Sequence, residues 1–142
     1  MAAEAETPIV ARTITVRTGR LVCEVAIADS RYRTTDGQLA RVVAEAFPNI
    51  TRHACVNGKG STFGAVIACT SVPHLLEHVA IDLQTQAATD DAATFVGTTE
   101  WVDEAAGTAC IQLSFADDLV ALRAFRDALV FLNDAVLALR HG

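Results

Sequence analysis

The chain has 142 residues, of which 51% are hydrophobic and 20% charged, with a formal net charge of −6 at pH 7. This composition argues against a disordered chain, and the negative charge argues against nucleic acid or an anionic membrane surface as the main partner. No apolar stretch approaches the length of a membrane span, and the acidic start does not resemble a secretory signal, so we expect a cytoplasmic protein. The length predicts a flexible N-terminus at residues 1–8 and a single domain at residues 9–142.

The predicted elements begin with a hairpin. Residues 11–29 alternate apolar and polar side chains around Thr18-Gly19-Arg20, which is typical of two strands joined by a tight turn. Residues 34–47 carry apolar side chains at helical spacing and are followed by Pro48, so they predict a first helix. Residues 49–64 then predict a short extended piece and a glycine-rich loop.

A second helix is predicted from about residue 72 to residue 86, with Thr70 or Ser71 as its N-cap. The apolar stretch in front of it, residues 65–72 (AVIACTSV), is consistent either with a buried strand or with a lead into the helix. The sequence alone leaves these two interpretations open.

The C-terminal third predicts two more strands and a long helix. Residues 92–118 contain the strands, joined at residues 103–107, and Asp117 or Asp118 caps the helix. The apolar surface of this helix is wide, which either deep burial or a homodimer contact would explain. The whole pattern predicts an α+β fold, with a small mixed or antiparallel sheet and about three helices packed on it in a single layer.

The second helix carries the most informative motif. In residues 73–84 (PHLLEHVAIDLQ), His74 and His78 lie one helical turn apart, and Glu77 directly precedes the second histidine. These three side chains share a face opposite the apolar one. H-x-x-E-H is the reverse of the H-E-x-x-H zinc helix, in which the histidines bind the metal and the glutamate is a general base. The alternative interpretation is a solvated helix face with no chemical role.

A zinc site would need more than these two histidines. Zinc in a catalytic site takes a third protein ligand and keeps one position for water or substrate. Asp82 lies one turn after His78 and is placed to orient its imidazole, as ligating histidines usually require. An ordinary surface carboxylate is the alternative for Asp82.

Three segments resemble, in order, the amino-terminal domain of cyanophycin synthetases. They are HACVNGKGSTFG at residues 53–64, the H-x-x-E-H helix at residues 73–84, and FVGTTEWVDEAAGTACIQLSF at residues 95–115. The resemblance covers that one domain. The family's ATP-grasp and Mur-ligase-like domains have no room in 142 residues. In the family, this domain holds the polymer, and in some members it has a zinc-dependent peptidase-like activity.

The resemblance also implies roles for individual residues. Cys55, His74 and His78 would be the metal ligands and Glu77 the general base. His53 is present as well, but an extended backbone would point it away from Cys55, which disfavours both binding one ion. The implied function is a small zinc-dependent hydrolase acting on a peptide or isopeptide-type amide. The alternative is a noncatalytic module that binds a peptide or poly-amino-acid ligand, or a regulatory one, with a vestigial or structural metal site.

The chain departs from the family at one segment that would face a substrate. The family has Gly-Arg-Thr-Arg where this chain has Gly97-Thr98-Thr99-Glu100. Arginines there could pair with a substrate carboxylate, and this chain has lost both. We expect Thr98 and Glu100 to face the ligand, with a solvated strand carboxylate as the alternative for Glu100, and the substrate itself stays open.

Overall fold

The computed structural model describes residues 7–55, 60–89 and 93–141, and it has an α+β fold. One antiparallel sheet has the strand order β1-β2-β4-β3. Its strands are β1 (Val10–Arg17), β2 (Arg20–Ala26), β3 (Gly97–Asp103) and β4 (Thr108–Ser114). The predicted fold class is confirmed, with an antiparallel rather than a mixed sheet. Residues 1–6 of the predicted flexible N-terminus and residues 56–59 of the glycine-rich loop lie outside the described residues.

Three helices accompany the sheet: α1 (Gly37–Ala46), α2 (Val72–Ala87) and α3 (Asp118–His141). Side chains cap all three, because Asp36, Ser71 and Asp117 each accept a hydrogen bond from a backbone N–H in the first turn. The structure thus selects Ser71 over Thr70 and Asp117 over Asp118 as the caps. Within the described part of the chain, no helix is both long and apolar enough to cross a membrane.

The helices lie on one face of the sheet, and the core lies between them. α2 packs against α3, β3 and β4, while α3 also contacts β2 and α1. Side chains alternate along the central strands, so one face supplies the buried residues and the other stays partly exposed. The buried set comprises Leu21, Cys23, Val25, Ala109, Ile111 and Leu113.

The start of the described chain is fastened to the last helix. Pro8 and Ile9 are buried. The N–H of Ile9 donates to Asn133 Oδ1 at 2.8 Å, and its carbonyl accepts from Asn133 Nδ2 at 3.0 Å. A buried asparagine that satisfies both backbone groups orders the segment that leads into β1.

The segment between α1 and α2 differs from the prediction. Ile50–Arg52 and Phe63–Ala65 form short 3₁₀ turns, so the predicted extended piece is reduced to the antiparallel bridge between Ala54 and Thr62. Residues 65–72 lead into α2 by further turns rather than forming a strand. The physical reason is that backbone groups here bond locally, such as Ile67 N–H to Phe63 C=O at 2.9 Å. This covering segment, residues 50–55 and 60–67, lies over α2 and positions the site described below.

Gly107, in the β3–β4 turn, is required by its conformation and its surroundings. Its φ is +76°, and a Cβ there would collide with the Ile27 carbonyl oxygen and lie 2.6 Å from Arg33 Nε. We expect Gly107→Ala to lower the free energy of unfolding by about 2–4 kcal/mol in urea denaturation. Gly37→Ala is the control, because a Cβ there meets nothing within 4 Å, and it should be neutral or slightly stabilising. Equal stabilities for the two variants would contradict this account of the turn.

Candidate metal centre

Helix α2 is buried on both its apolar and its polar side. Val72, Leu76 and Val79 are inaccessible, as the apolar pattern predicts. Glu77 and His78 are also buried, with exposed fractions of 4% and 3%, because β3 and the covering segment pack over them. The interpretation of this side as a solvated helix face is therefore wrong.

Three donor side chains converge between α2 and the covering segment. One ligand atom each from Cys55, His74 and His78 lies within 4.8 Å of the other two, and Cys55 Sγ is 3.5 Å from His74 Nε2. A thiolate and two imidazoles are a donor set typical of zinc, and three protein donors leave a coordination position for water or substrate. The group could hold a metal ion, and its chemistry fits the ion that the sequence predicts.

The two histidine rings are held in place by packing. Phe63 stacks on His78 with ring centroids 4.1 Å apart, and it meets His74 edge-on at 5.0 Å. The Thr70 hydroxyl lies 2.8 Å from Nδ1 of His74, which leaves Nε2 to face Cys55. Phe63 is inaccessible to solvent and closely packed. Its ring therefore restricts the orientations of both imidazoles.

Burial keeps both histidines neutral. It lowers the pKa of His74, and it lowers the pKa of His78 to about 3, with the nearby imidazoles of His74 and His53 adding to the effect. A histidine must be neutral to bind a metal, because the ion needs a nitrogen lone pair. The site is therefore ready for a cation without first losing protons from these rings.

The Glu77 carboxylate lies beside this group. Its Oε1 accepts a hydrogen bond from Thr99 Oγ1 at 2.7 Å, and its Oε2 is 3.5 Å from His78 Nε2. Burial raises the pKa of Glu77, while the Thr99 hydrogen bond and the charge of His53 act in the opposite direction. A carboxylate with a raised pKa beside a metal-binding group is a candidate general base.

Gly97 allows β3 to approach this carboxylate. A Cβ at Gly97 would lie 2.9 Å from Glu77 Cγ and 2.8 Å from the Gln112 carbonyl oxygen. Sequence reasoning missed the parts that Gly97 and Thr99 play. A glycine inside a strand is the available signal for the first, because it often marks a close approach.

His53 lies between Asp82 and His78, so Asp82 is arranged differently from the prediction. His53 Nδ1 is 3.0 Å from His78 Nδ1, and His53 Nε2 is 3.0 Å from Asp82 Oδ1. Asp82 thus contacts His53 rather than His78, which corrects the expectation that it orients His78 directly. His53 follows a 3₁₀ turn and faces α2, and the donor group is formed by Cys55, His74 and His78 without it.

These residues line an open cleft of about 1210 Å³. Its walls are Arg52–Cys55, the polar side of α2 and residues 93–99, which include Thr98. Glu100 does not line the cleft. It pairs with Cys110 on the opposite face of the sheet, where burial and the charges of Glu100 and Glu24 raise the Cys110 pKa. Because side chains alternate along β3, Thr99 and not Glu100 points toward α2.

A comparison with known protein families matches residues 21–137 to the cyanophycin synthase-like N-terminal domain. The chain belongs to this family. The matched range contains every residue of the cleft and begins at β2, so β1 lies outside it. No curated protein matches the chain.

Proposed function

We propose that the chain is a small zinc-dependent hydrolase that cleaves a peptide or isopeptide-type amide in this cleft. One observation carries the proposal: the buried Glu77 carboxylate, with a raised pKa, lies beside the Cys55, His74 and His78 donors on the wall of an open cleft. Metal donors next to a proton acceptor form the minimum apparatus for metal-assisted hydrolysis.

Each side chain then has a defined task. Zinc held by Cys55, His74 and His78 would polarise the amide carbonyl and lower the pKa of water. Glu77 takes the proton of the attacking water, at Oε2, because Thr99 occupies Oε1. It returns that proton to the amine nitrogen as the C–N bond breaks, leaving a carboxylate and an amine.

The cleft suits an extended amide chain better than a small metabolite. It has apolar surface at Ile81, Phe95 and Val96, and an exposed cation, Arg52, at its rim. Apolar walls with few polar groups are typical of ligand sites, and a guanidinium binds carboxylates. Arg52 is therefore the candidate partner for a substrate carboxylate in place of the two lost arginines.

Metal content tests the proposal first. We expect about one zinc per chain in untagged protein by elemental mass spectrometry, and loss of that zinc in His74→Ala and Cys55→Ala. Cys69→Ala is the matched control, since Cys69 is exposed and stands outside the donor group, and it should keep its zinc. Amine release from a peptide and isopeptide library should stop on chelation and return with zinc. Wild-type protein that binds no zinc after zinc is added would overturn the proposal.

The second candidate is a noncatalytic module that binds a peptide or polymer around a structural metal. One observation favours it: both carboxylate oxygens of Glu77 already have contacts within the chain, with Thr99 and with His78. In that case the chain would bind zinc and a peptide ligand and release no amine.

A further inference from the structure

Strand β3 is at the edge of the sheet, and its outer edge borders the cleft. The strand order β1-β2-β4-β3 leaves one side of β3 without a neighbouring strand, and no described part of the chain pairs with that side. Gly97, Thr98 and Thr99 all line the cleft, although alternation points the side chains of Thr98 and Thr99 to opposite faces of the sheet. Consecutive residues of a strand share one wall where that wall is the strand edge. The cleft therefore contacts the backbone of β3.

The strand pairing shows which backbone groups face the cleft. The Val96 carbonyl accepts a hydrogen bond from the Ser114 N–H at 2.8 Å, so the backbone groups of Val96 point toward β4. Backbone groups alternate between the two sides of an antiparallel strand, and the register continues with Thr98 opposite Gln112. The N–H and C=O groups of Gly97 and Thr99 then point outward. Unpaired groups of this kind at a sheet edge are ready to pair with another extended chain.

These outward groups lie beside the proposed general base. Thr99 Oγ1 donates to Glu77 Oε1 at 2.7 Å, and a Cβ at Gly97 would lie 2.9 Å from Glu77 Cγ. A strand that paired with this edge would lie about 4.8 Å from β3. Its main chain would run between β3 and the opposite wall at Arg52–Cys55, with the polar side of α2 beneath it. A main-chain amide of that strand would pass the Glu77 carboxylate.

The two edges of the sheet differ in a way that favours β3 as the binding edge. The opposite edge strand, β1, carries Arg12 and Arg17, and charged side chains on an edge strand discourage pairing. Residues 93–99, along the cleft, carry no charge and include Phe95 and Val96, of which Val96 is 69% exposed. Apolar surface beside unpaired backbone groups suits a peptide, which offers both kinds of contact.

We propose that the outer edge of β3 binds the main chain of an extended peptide, which joins the sheet as a fifth strand and pairs with Gly97 and Thr99. This inference rests on the proposed function and narrows its substrate class to peptides with a regular α-linked backbone. Main-chain hydrogen bonds supply the affinity in complexes of this kind, so the binding tolerates many sequences. An isopeptide linkage inserts side-chain methylene groups and breaks the two-residue period of the pairing.

Amide hydrogen exchange, measured by NMR, tests the pairing directly. The ligand is a pool of blocked random hexapeptides at millimolar total concentration, with a chelator present so that no peptide is cut. In the free protein, the amides of Gly97 and Thr99 should exchange fast and those of Thr98 and Glu100 slowly, because only the second pair donates to β4. The pool should slow exchange at Gly97 and Thr99 by at least about 10-fold.

The other edge of the sheet is the matched control. The register of β1 directs the amides of Ile14 and Val16 to its own free edge, and they should exchange fast with and without peptide. No slowing at Gly97 and Thr99 would overturn the inference. Equal slowing at Ile14 and Val16 would also overturn it, because the peptides would then pair with any free edge.

Modified ligands test the period of the pairing. In the tightest-binding member of the pool, N-methylation of every second amide should raise the Kd by about 3–10-fold, and methylation of the intervening amides by less than about 2-fold. An isopeptide of the same composition should bind about 10-fold more weakly or worse. A uniform effect of methylation, or equal affinity for the isopeptide, would show a ligand that does not pair with β3.

This inference and the proposed function can fail separately. A chain that binds zinc and cuts peptides without slower exchange at Gly97 and Thr99 refutes the strand pairing alone. A chain that binds no zinc refutes the hydrolase, whereas peptide-dependent protection of Gly97 and Thr99 would still establish the binding edge.

Discussion

Glu77→Gln should abolish most hydrolysis while leaving the metal in place. The glutamine keeps the size of the side chain and can still accept the Thr99 hydrogen bond, but it cannot take a proton from water. Removing a general base usually lowers kcat by 10²–10⁴-fold. We expect a loss in that range for an amide substrate, with KM changed little and zinc content at the wild-type value.

A matched variant makes this result specific. Glu100→Gln is the same chemical change one strand position beyond Thr99, on the opposite face of the sheet. It should leave hydrolysis unchanged, and it also tests the expectation that Glu100 faces the ligand. If Glu77→Gln kept full activity, a different group would have to remove the proton. If the wild type bound zinc and a peptide but released no amine, the noncatalytic module would be the better description.

The metal-free protein should lose stability as the pH falls below about 6.5. The pKa of His78 is lowered to about 3 in the folded chain, chiefly by burial, while in the unfolded chain it returns to about 6.5. Between these two values the unfolded state binds a proton that the folded state does not. The free energy of unfolding then falls by up to about 1.4 kcal/mol per pH unit, and above about pH 7 this residue has no effect.

Neighbouring groups modify this slope in known directions. The pKa of His74 is also lowered by burial, so it adds to the loss. The pKa of Glu77 is raised by burial, so protonation of this carboxyl stabilises the folded state and opposes the loss. Urea denaturation in chelator at several pH values between about 7.5 and 4.5 measures the sum. His78→Gln should show a shallower slope than the wild type or Cys69→Ala, and identical slopes would contradict the assignment to His78.

Much of the fold is encoded in local sequence. The Thr18-Gly19-Arg20 turn, the caps at Ser71 and Asp117, and the turn at residues 103–107 each depend on a few adjacent residues. Short-range patterns of this kind could be predicted from the sequence, and the structure confirms them. The spacing of His74, Glu77 and His78 is likewise a property of a single helix.

The remaining features of the site depend on contacts between distant parts of the chain. The polar side of α2 is buried because residues 50–55 and 60–67 fold over it, and their turns do not follow a hydrophobic period. His53 and Asp82 are separated by 29 residues and Thr99 and Glu77 by 22. Hydrogen bonds of this kind leave no periodic signal, so the sequence indicated which residues were present but not how they pair.

The donor atoms of the candidate centre come from two separate pieces of the chain, since Cys55 belongs to the covering segment and both histidines to α2. An unfolded chain cannot bring them together, so an ion that binds here binds almost solely to the folded state. Thermodynamic linkage then stabilises that state by about 2.7 kcal/mol when the ion exceeds its Kd a hundredfold. The melting temperature would then depend on the concentration of the ion. A shortage of the ion would weaken the attachment of the covering segment to α2 and remove the metal from the cleft at the same time.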